Sequence, residues 1–218
     1  PATPIPRTLV LTYSGDMDAP RLDEKPPGRE PIDTRVLPMD RLGEVIEGVG
    51  RAIARDDRVY WICPLVSESE HLDVSAVEER HAMLVQRFGS AVGLLHGKMQ
   101  GGAKDAALGA FQRGETKILV ATTVVEVGVD VPEATIVVIE HAERFGLAQL
   151  HQLRGRVGRG TKRSTCVLLY QAPLGVIARE RLDVMRRSND GFVIAEKDLE
   201  LRGPGELLGT RQTGLAAF

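Results

Sequence analysis

Four apolar runs constrain this chain more than any other feature of it. "RVYWICPLV", "KILVATT", "ATIVVIEHA" and "STCVLLY" are almost unbroken in Val, Ile, Leu and their like. A half-buried strand alternates apolar and polar residues, whereas a strand covered on both faces does not. Between these runs lie segments with helical spacing. "DVSAVEERHAMLVQRFG" opens on a capping Asp and repeats Val77, Leu84 and Phe88 on one side; "AKDAALGAFQRGE" and "FGLAQLHQLRGRVGR" follow the same logic. "AVGLLHG" supplies a further short strand, and "MDRLGEVIEGVGRAIARDD" a glycine-weakened helix. Alternation of this kind implies an α/β fold, a parallel sheet with helices on both faces. Ligands are then expected at the carboxyl ends of the strands.

The flanks read differently. Residues 1–20 hold only a short apolar run, and "LDEKPPGREPID" is too rich in Pro and charge for a helix or central strand, so residues 21–37 read as a linker. Residues 38–172 form the sheet domain. From 173 to 218 the pattern becomes an amphipathic helix with Leu174, Ile177, Leu182 and Met185 on one side. The dipeptide Asp190–Gly191 then turns the chain into a second helix, broken by "GPG". A helical hairpin ending in a loop is expected. The opening "PATPIPRTLVLTYSG" lacks a Met and reads as the middle of a longer chain.

Composition removes several classes. A formal net charge of −2 excludes an all-over basic coat, so any nucleic-acid contact must be local. No run approaches a membrane span, and no signal-peptide pattern is present. Cys63 and Cys166 sit in separate apolar runs and suit a reducing cytoplasm better than a disulfide. The histidines and cysteines have no metal-ligand spacing, so no metal site is expected.

Against that near-neutral background, Arg154, Arg156, Arg159, Lys162 and Arg163 fall together with no acid among them. On a helical wheel Gln152, Arg156 and Arg159 share one face, opposite Leu147, Leu150, Leu153 and Val157. Arg154 falls toward the apolar side, which the wheel does not explain. Guanidinium forks match phosphate oxygens and stay charged at every working pH. Arg156 and Arg159, with Gln152, are therefore the candidate phosphate-handling set, the alternative being a solvated helix face. Thr122 and Thr123 emerge at the end of a buried strand, where hydroxyls and free N–H groups can hold a nucleic-acid phosphate or simply cap the next turn. Lys98, after "LLHG", can meet such a phosphate; His96 has no catalytic role.

These residues carry a resemblance. "QLRGRVGR" resembles motif VI of superfamily 2 helicases, "ILVATTVVEVGVDVPEAT" motif V, "LLHGKM" motif IV, and "ATPIPRT" motif III, the end of a first motor domain. The resemblance implies a RecA-like fold of the P-loop NTPase type, in which Arg156 and Arg159 act as arginine fingers toward the γ-phosphate of ATP. Gly128 and Asp130 then lie on the ATP side of the cleft beside Gln152. Thr3, His96, Gly97, Lys98, Thr122 and Thr123 lie on the DNA side. It further implies ATP and Mg²⁺ as cofactors of the full-length protein, bound mainly by a first motor domain that this chain lacks. Neither the phosphate-cradling G-x-x-x-x-G-K-[ST] nor an Asp-Glu-x-His motif is present, so the chain alone is expected to hold neither cofactor and to be inactive as an ATPase.

The tail "DGFVIAEKDLELRGPGELLGTRQTGLAAF" closely resembles that of bacterial helicases that remodel stalled forks and Holliday junctions in recombination and repair. It implies a monomeric cytoplasmic protein, associated with the nucleoid. Its partners would be branched DNA, an N-terminal wedge and a first motor domain of the same polypeptide, with no membrane. Arg202, Glu206, Arg211 and Gln212 would form a loop coupling ATP use to DNA movement. The alternatives are a transcription–repair coupling translocase, which commonly has Ala at the position of Pro204, and a non-motor phosphate-binding module.

Overall fold

The computed structural model describes residues 30–64, 70–122 and 131–202. Six strands form one all-parallel sheet: β1 (Asp33–Pro38), β2 (Arg58–Ile62), β3 (Val92–Leu95), β4 (Ile118–Ala121), β5 (Ala134–Ile139) and β6 (Thr165–Tyr170). Their spatial order is β1-β6-β5-β2-β4-β3. The helices are α1 (Leu42–Ile53), α2 (Glu70–Phe88), α3 (Gly101–Arg113), α4 (Leu147–Arg154), α5 (Val176–Arg187) and α6 (Gly191–Arg202).

The apolar runs are the strands buried on both faces. Along β2, Val59 and Trp61 join one core with Ile118, Val120 and Val138, covered by Val45 and Val49 of α1 and by Val77 and Leu84 of α2. Tyr60 and Ile62 face the other way, with Leu119, Val137, Ile139 and Leu168, under Phe111 of α3 and Leu147, Leu150 and Leu153 of α4. Period-two alternation thus feeds two cores rather than one core and solvent.

The structure departs from the sequence reading at three places. Residues 33–37, assigned there to the end of the linker, form with Pro38 the edge strand β1, in register with β6 from Asp33↔Thr165 to Pro38↔Tyr170. The expected helix over 145–159 stops at Arg154. Gly155 ends it, the amides of Arg156 and Val157 donate to Leu153 and Arg154 in a tightened turn, and Gly158 adopts φ 77°, a conformation that favours glycine. Third, of the apolar residues assigned to one side of α5, Leu182 and Met185 are buried, but Ile177 is 54% exposed.

The hairpin is present as α5 and α6. Asp190 caps α6 by accepting from the Phe192 amide at 2.8 Å, and Lys197 pairs with Glu180 across the two helices at 3.1 Å. Met185 and Ile194 anchor the pair in the core beneath α4.

Candidate nucleotide and nucleic-acid sites

Helix α4 is held from both ends of its short length. The Gly146 amide donates to Gln149 Oε1 at its start, and Leu147, Leu150, Leu153 and Val157 fill the core. Beyond it, residues 155–164 return the chain to the start of β6. Gly160 lies so near Pro132 that a Cβ there would stand 2.9 Å from the Pro132 carbonyl oxygen. A Cβ at Gly158 would stand 3.0 Å from Ile32. Pro132 precedes β5 and Ile32 precedes β1, so the turn carrying Arg156 and Arg159 lies along the amino ends of β1, β5 and β6. These arginines therefore lie away from the carboxyl ends at which ligands were expected, because their helix runs antiparallel to the strands and ends at the opposite edge. The wheel that put Gln152, Arg156 and Arg159 on one helical face is corrected too: Gln152 is on α4, the arginines on the turn after it. All three are half-buried, and the Arg159 Nε donates to the Gly155 carbonyl at 3.1 Å.

At the other edge, the carboxyl ends of the adjacent strands β3 and β4 bring His96 and Thr122 together, the Thr122 amide donating to the Leu95 carbonyl at 3.3 Å. Gly97 and Lys98 are exposed, and Lys104 Nζ donates to the Gly97 carbonyl at 2.7 Å. Thr122 Oγ1 and His96 Nδ1 are buried with no hydrogen-bond partner among the described residues. The other ring nitrogen of His96, Nε2, lies 3.7 Å from Glu78 Oε1, and the chain beyond Thr122 continues into residues outside those described. Thr3, Thr123, Gly128, Asp130, Glu206, Arg211 and Gln212 lie outside the described residues, as does the side chain of Arg202.

Sequence reasoning missed two clusters. Glu140, at the end of β5 and 4% exposed, accepts from Trp61 Nε1 at 2.5 Å and from both Nε and Nη2 of Arg80, which pins α2 to the sheet. Its only signal was an acid closing the run "ATIVVIEHA". The second cluster is built on Arg154, which is 2% exposed. Its Nη1 donates to the carbonyls of Met185 (2.8 Å) and Ser188 (2.7 Å) and more loosely to Thr34 Oγ1 (3.4 Å); Nη2 lies 3.2 Å from His151 Nδ1. The cation that the wheel placed on the apolar side is there to hold backbone carbonyls. Burial pushes the guanidinium below its usual range, and burial together with that charge brings His151 down to about 4. His151 is therefore neutral, with Nδ1 free to accept from Arg154.

The parallel sheet thus carries an arginine turn at one edge and a buried polar pair at the other. The model for the helicase conserved C-terminal domain matches residues 39–161, and the chain belongs to that family. A second model, ATP-dependent DNA helicase RecG, domain 3, C-terminal, matches residues 188–218. The chain is 56% identical over 215 residues to the ATP-dependent DNA helicase RecG of Acidithiobacillus ferridurans, covering 98% of this chain and 31% of that protein. With the RecG of Escherichia coli K12 the identity is 55% over 219 residues, covering 100% and 32%. The chain thus spans about a third of the length of these relatives. A solved structure of RecG bound to a three-way DNA junction is similar with a TM-score of 0.76 and 44% identity over 94% of this chain and 27% of that one.

Proposed function

We propose that this chain is the second motor domain, with its helical hairpin, of a RecG-like ATP-dependent helicase that remodels branched DNA. The observation that carries the reading is the arginine turn: a buried helix and two close glycine contacts fix Arg156 and Arg159 at one edge of the sheet. In the complete protein that edge faces ATP, whose phosphates and Mg²⁺ are held mainly by a first motor domain. There Gly128 and Asp130 complete the nucleotide side of the cleft with Gln152. The guanidinium groups fit the terminal phosphate, Arg159 giving up its bond to Gly155 to reach it. Bound ATP would supply the phosphoryl group transferred to water; Arg156 and Arg159, brought up to it as the domains close, would orient that group and offset its developing charge. Thr3, His96, Gly97, Lys98, Thr122 and Thr123 contact the DNA backbone, a reading supported by the exposure of Gly97 and Lys98 just beyond the carboxyl end of β3. Arg202, Glu206, Arg211 and Gln212 form the coupling loop. The reading implies a monomer in the bacterial cytoplasm, working at the nucleoid with a wedge domain of the same polypeptide; among the described residues no helix is long and apolar enough to cross a membrane.

The test is Arg156→Ala and Arg159→Ala in the full-length protein. A positioned arginine finger is worth about 10³ to 10⁵ in rate, so DNA-stimulated ATP hydrolysis should fall on that order while fork binding persists. Arg159→Lys should restore little, because an ammonium lacks the planar fork. Normal hydrolysis with lost DNA affinity would make the turn a DNA contact instead.

A further inference from the structure

The root of the hairpin touches more than the helix beneath it. Arg154 is a buried cation with no carboxylate partner among the described residues; its acceptors are carbonyls, a hydroxyl and a neutral imidazole. A cation in that position costs more to bury than the Leu or Met that would fill the same space beside Leu150 and Leu153, so packing alone does not account for it. Two of its acceptors, Met185 and Ser188, lie in and just beyond the last turn of α5, where helix carbonyls lack intrahelical partners and carry the negative end of the dipole. Thr34 lies on β1, at the exit of the stretch the sequence marks as linker. The neighbouring residue of the root makes a second connection to the same place: Asn189 Nδ2 donates to the Ile32 carbonyl at 3.3 Å. Ile32 is also the side chain packed close to Gly158 in the arginine turn. One short stretch, Ile32 to Thr34, therefore touches the arginine turn on one side and the hairpin root on the other.

We propose that Arg154 and Asn189 are positioning residues that fasten the hairpin root to the linker exit, so that the hairpin follows the linker when the motor domains move. The inference rests on the motor reading above. A clasp made of neutral acceptors suits that role. It sets orientation through several directed bonds, yet lacks the strong ion pair that would have to be broken to let the hairpin tilt. The route is separate from β6, which joins the arginine turn to the hairpin along the chain. A pull on the linker reaches the root directly across space.

The experiment uses the full-length protein and a fork substrate, with Asn189→Ala, Asn189→Asp and Arg154→Lys. Asn189 is half-buried, and its removal leaves the Asp190 cap of α6 in place. Asp keeps the shape of Asn but cannot donate to Ile32, so it should behave like Ala. The reading to take is base pairs opened per ATP hydrolysed, with melting temperature on the same preparation. DNA-stimulated hydrolysis should persist in both Asn189 variants while the yield per ATP falls by up to roughly tenfold, the weight of one neutral hydrogen bond in the ratio of fastened to released root. Arg154→Lys, which keeps the charge without the fork, should lower the yield beyond its effect on melting temperature. An unchanged yield per ATP in the Asn189 variants would overturn the clasp, as would losses in both activities that merely track melting temperature. A wild-type protein with no DNA-stimulated hydrolysis would overturn the motor reading beneath it instead.

Discussion

His151 sits 8% exposed against the guanidinium of Arg154, and both burial and that charge resist its protonation. Its pKa falls from an ordinary 6.5 to about 4 in the folded chain. Between those values the unfolded chain binds a proton that the folded chain does not. Stability is therefore complete above the unfolded value, declines as pH falls through the interval, and flattens below about 4; the decline attributable to this residue is up to about 3 kcal/mol. Denaturant midpoints followed from neutral pH down to about 4 should show it, and His151→Gln, which can still accept from Arg154, should lessen the slope. A variant as pH-sensitive as the wild type would assign the slope to other groups. The same pair shows what single-residue reading can reach. A helical wheel locates Arg154 on the wrong side for solvent, but it cannot name Met185 or Ser188 as its acceptors, because those lie about 30 residues away along the chain and meet it only through tertiary packing.

At the scale of elements, the arginine turn is defined by what glycine leaves out. At Gly160 a side chain would meet the carbonyl of Pro132, which is backbone and cannot rotate away. Gly160→Ala should therefore push the turn off the start of β5, with a stability loss of about 1–3 kcal/mol from overpacking. Because the displaced turn carries Arg156 and Arg159, ATP hydrolysis by the full-length protein should fall further than stability does. Thermal melts and DNA-stimulated ATPase rates on one preparation check both, and hydrolysis unchanged at a lowered melting temperature would show the turn to be tolerant of displacement. Strands were the most legible elements, since a run such as Ile118–Ala121 is buried on both faces and its composition says so. Helix ends were less so: the apolar stripe of α4 continues to Val157, and only the backbone reveals that Gly155 and Gly158 have already ended the helix. The carboxylate of Glu140 was illegible for a third reason. Its partners come from β2 and α2, so its meaning depends on strand order, which periodicity does not encode.

For the whole molecule, the two cores and six paired strands give this chain what an independent fold requires, whereas the phosphate cradle of an NTPase is missing from its sequence. The purified 218-residue chain should unfold cooperatively yet show no ATP hydrolysis above buffer, with or without branched DNA. Its single tryptophan, Trp61, is fully buried against Glu140 and gives the unfolding signal without labelling. DNA-stimulated turnover by the chain alone would mean that the catalytic machinery is not divided between two domains.

The arginine turn and the polar pair of Thr122 and His96 occupy opposite edges of one parallel sheet. Strands of four to six residues separate those edges by about 15 Å at roughly 3.3 Å per residue. The four central strands, β2, β4, β5 and β6, are hydrogen-bonded on both sides and packed on both faces, and such a slab bends little. Events at one edge therefore need no relay of side-chain rearrangements to be felt at the other. In the motor proposed above, a tilt of a few degrees at the arginine edge would sweep the edge of Thr122 and His96 through an arc, in the manner of a rocker on a pivot, with the length of the strands setting the stroke.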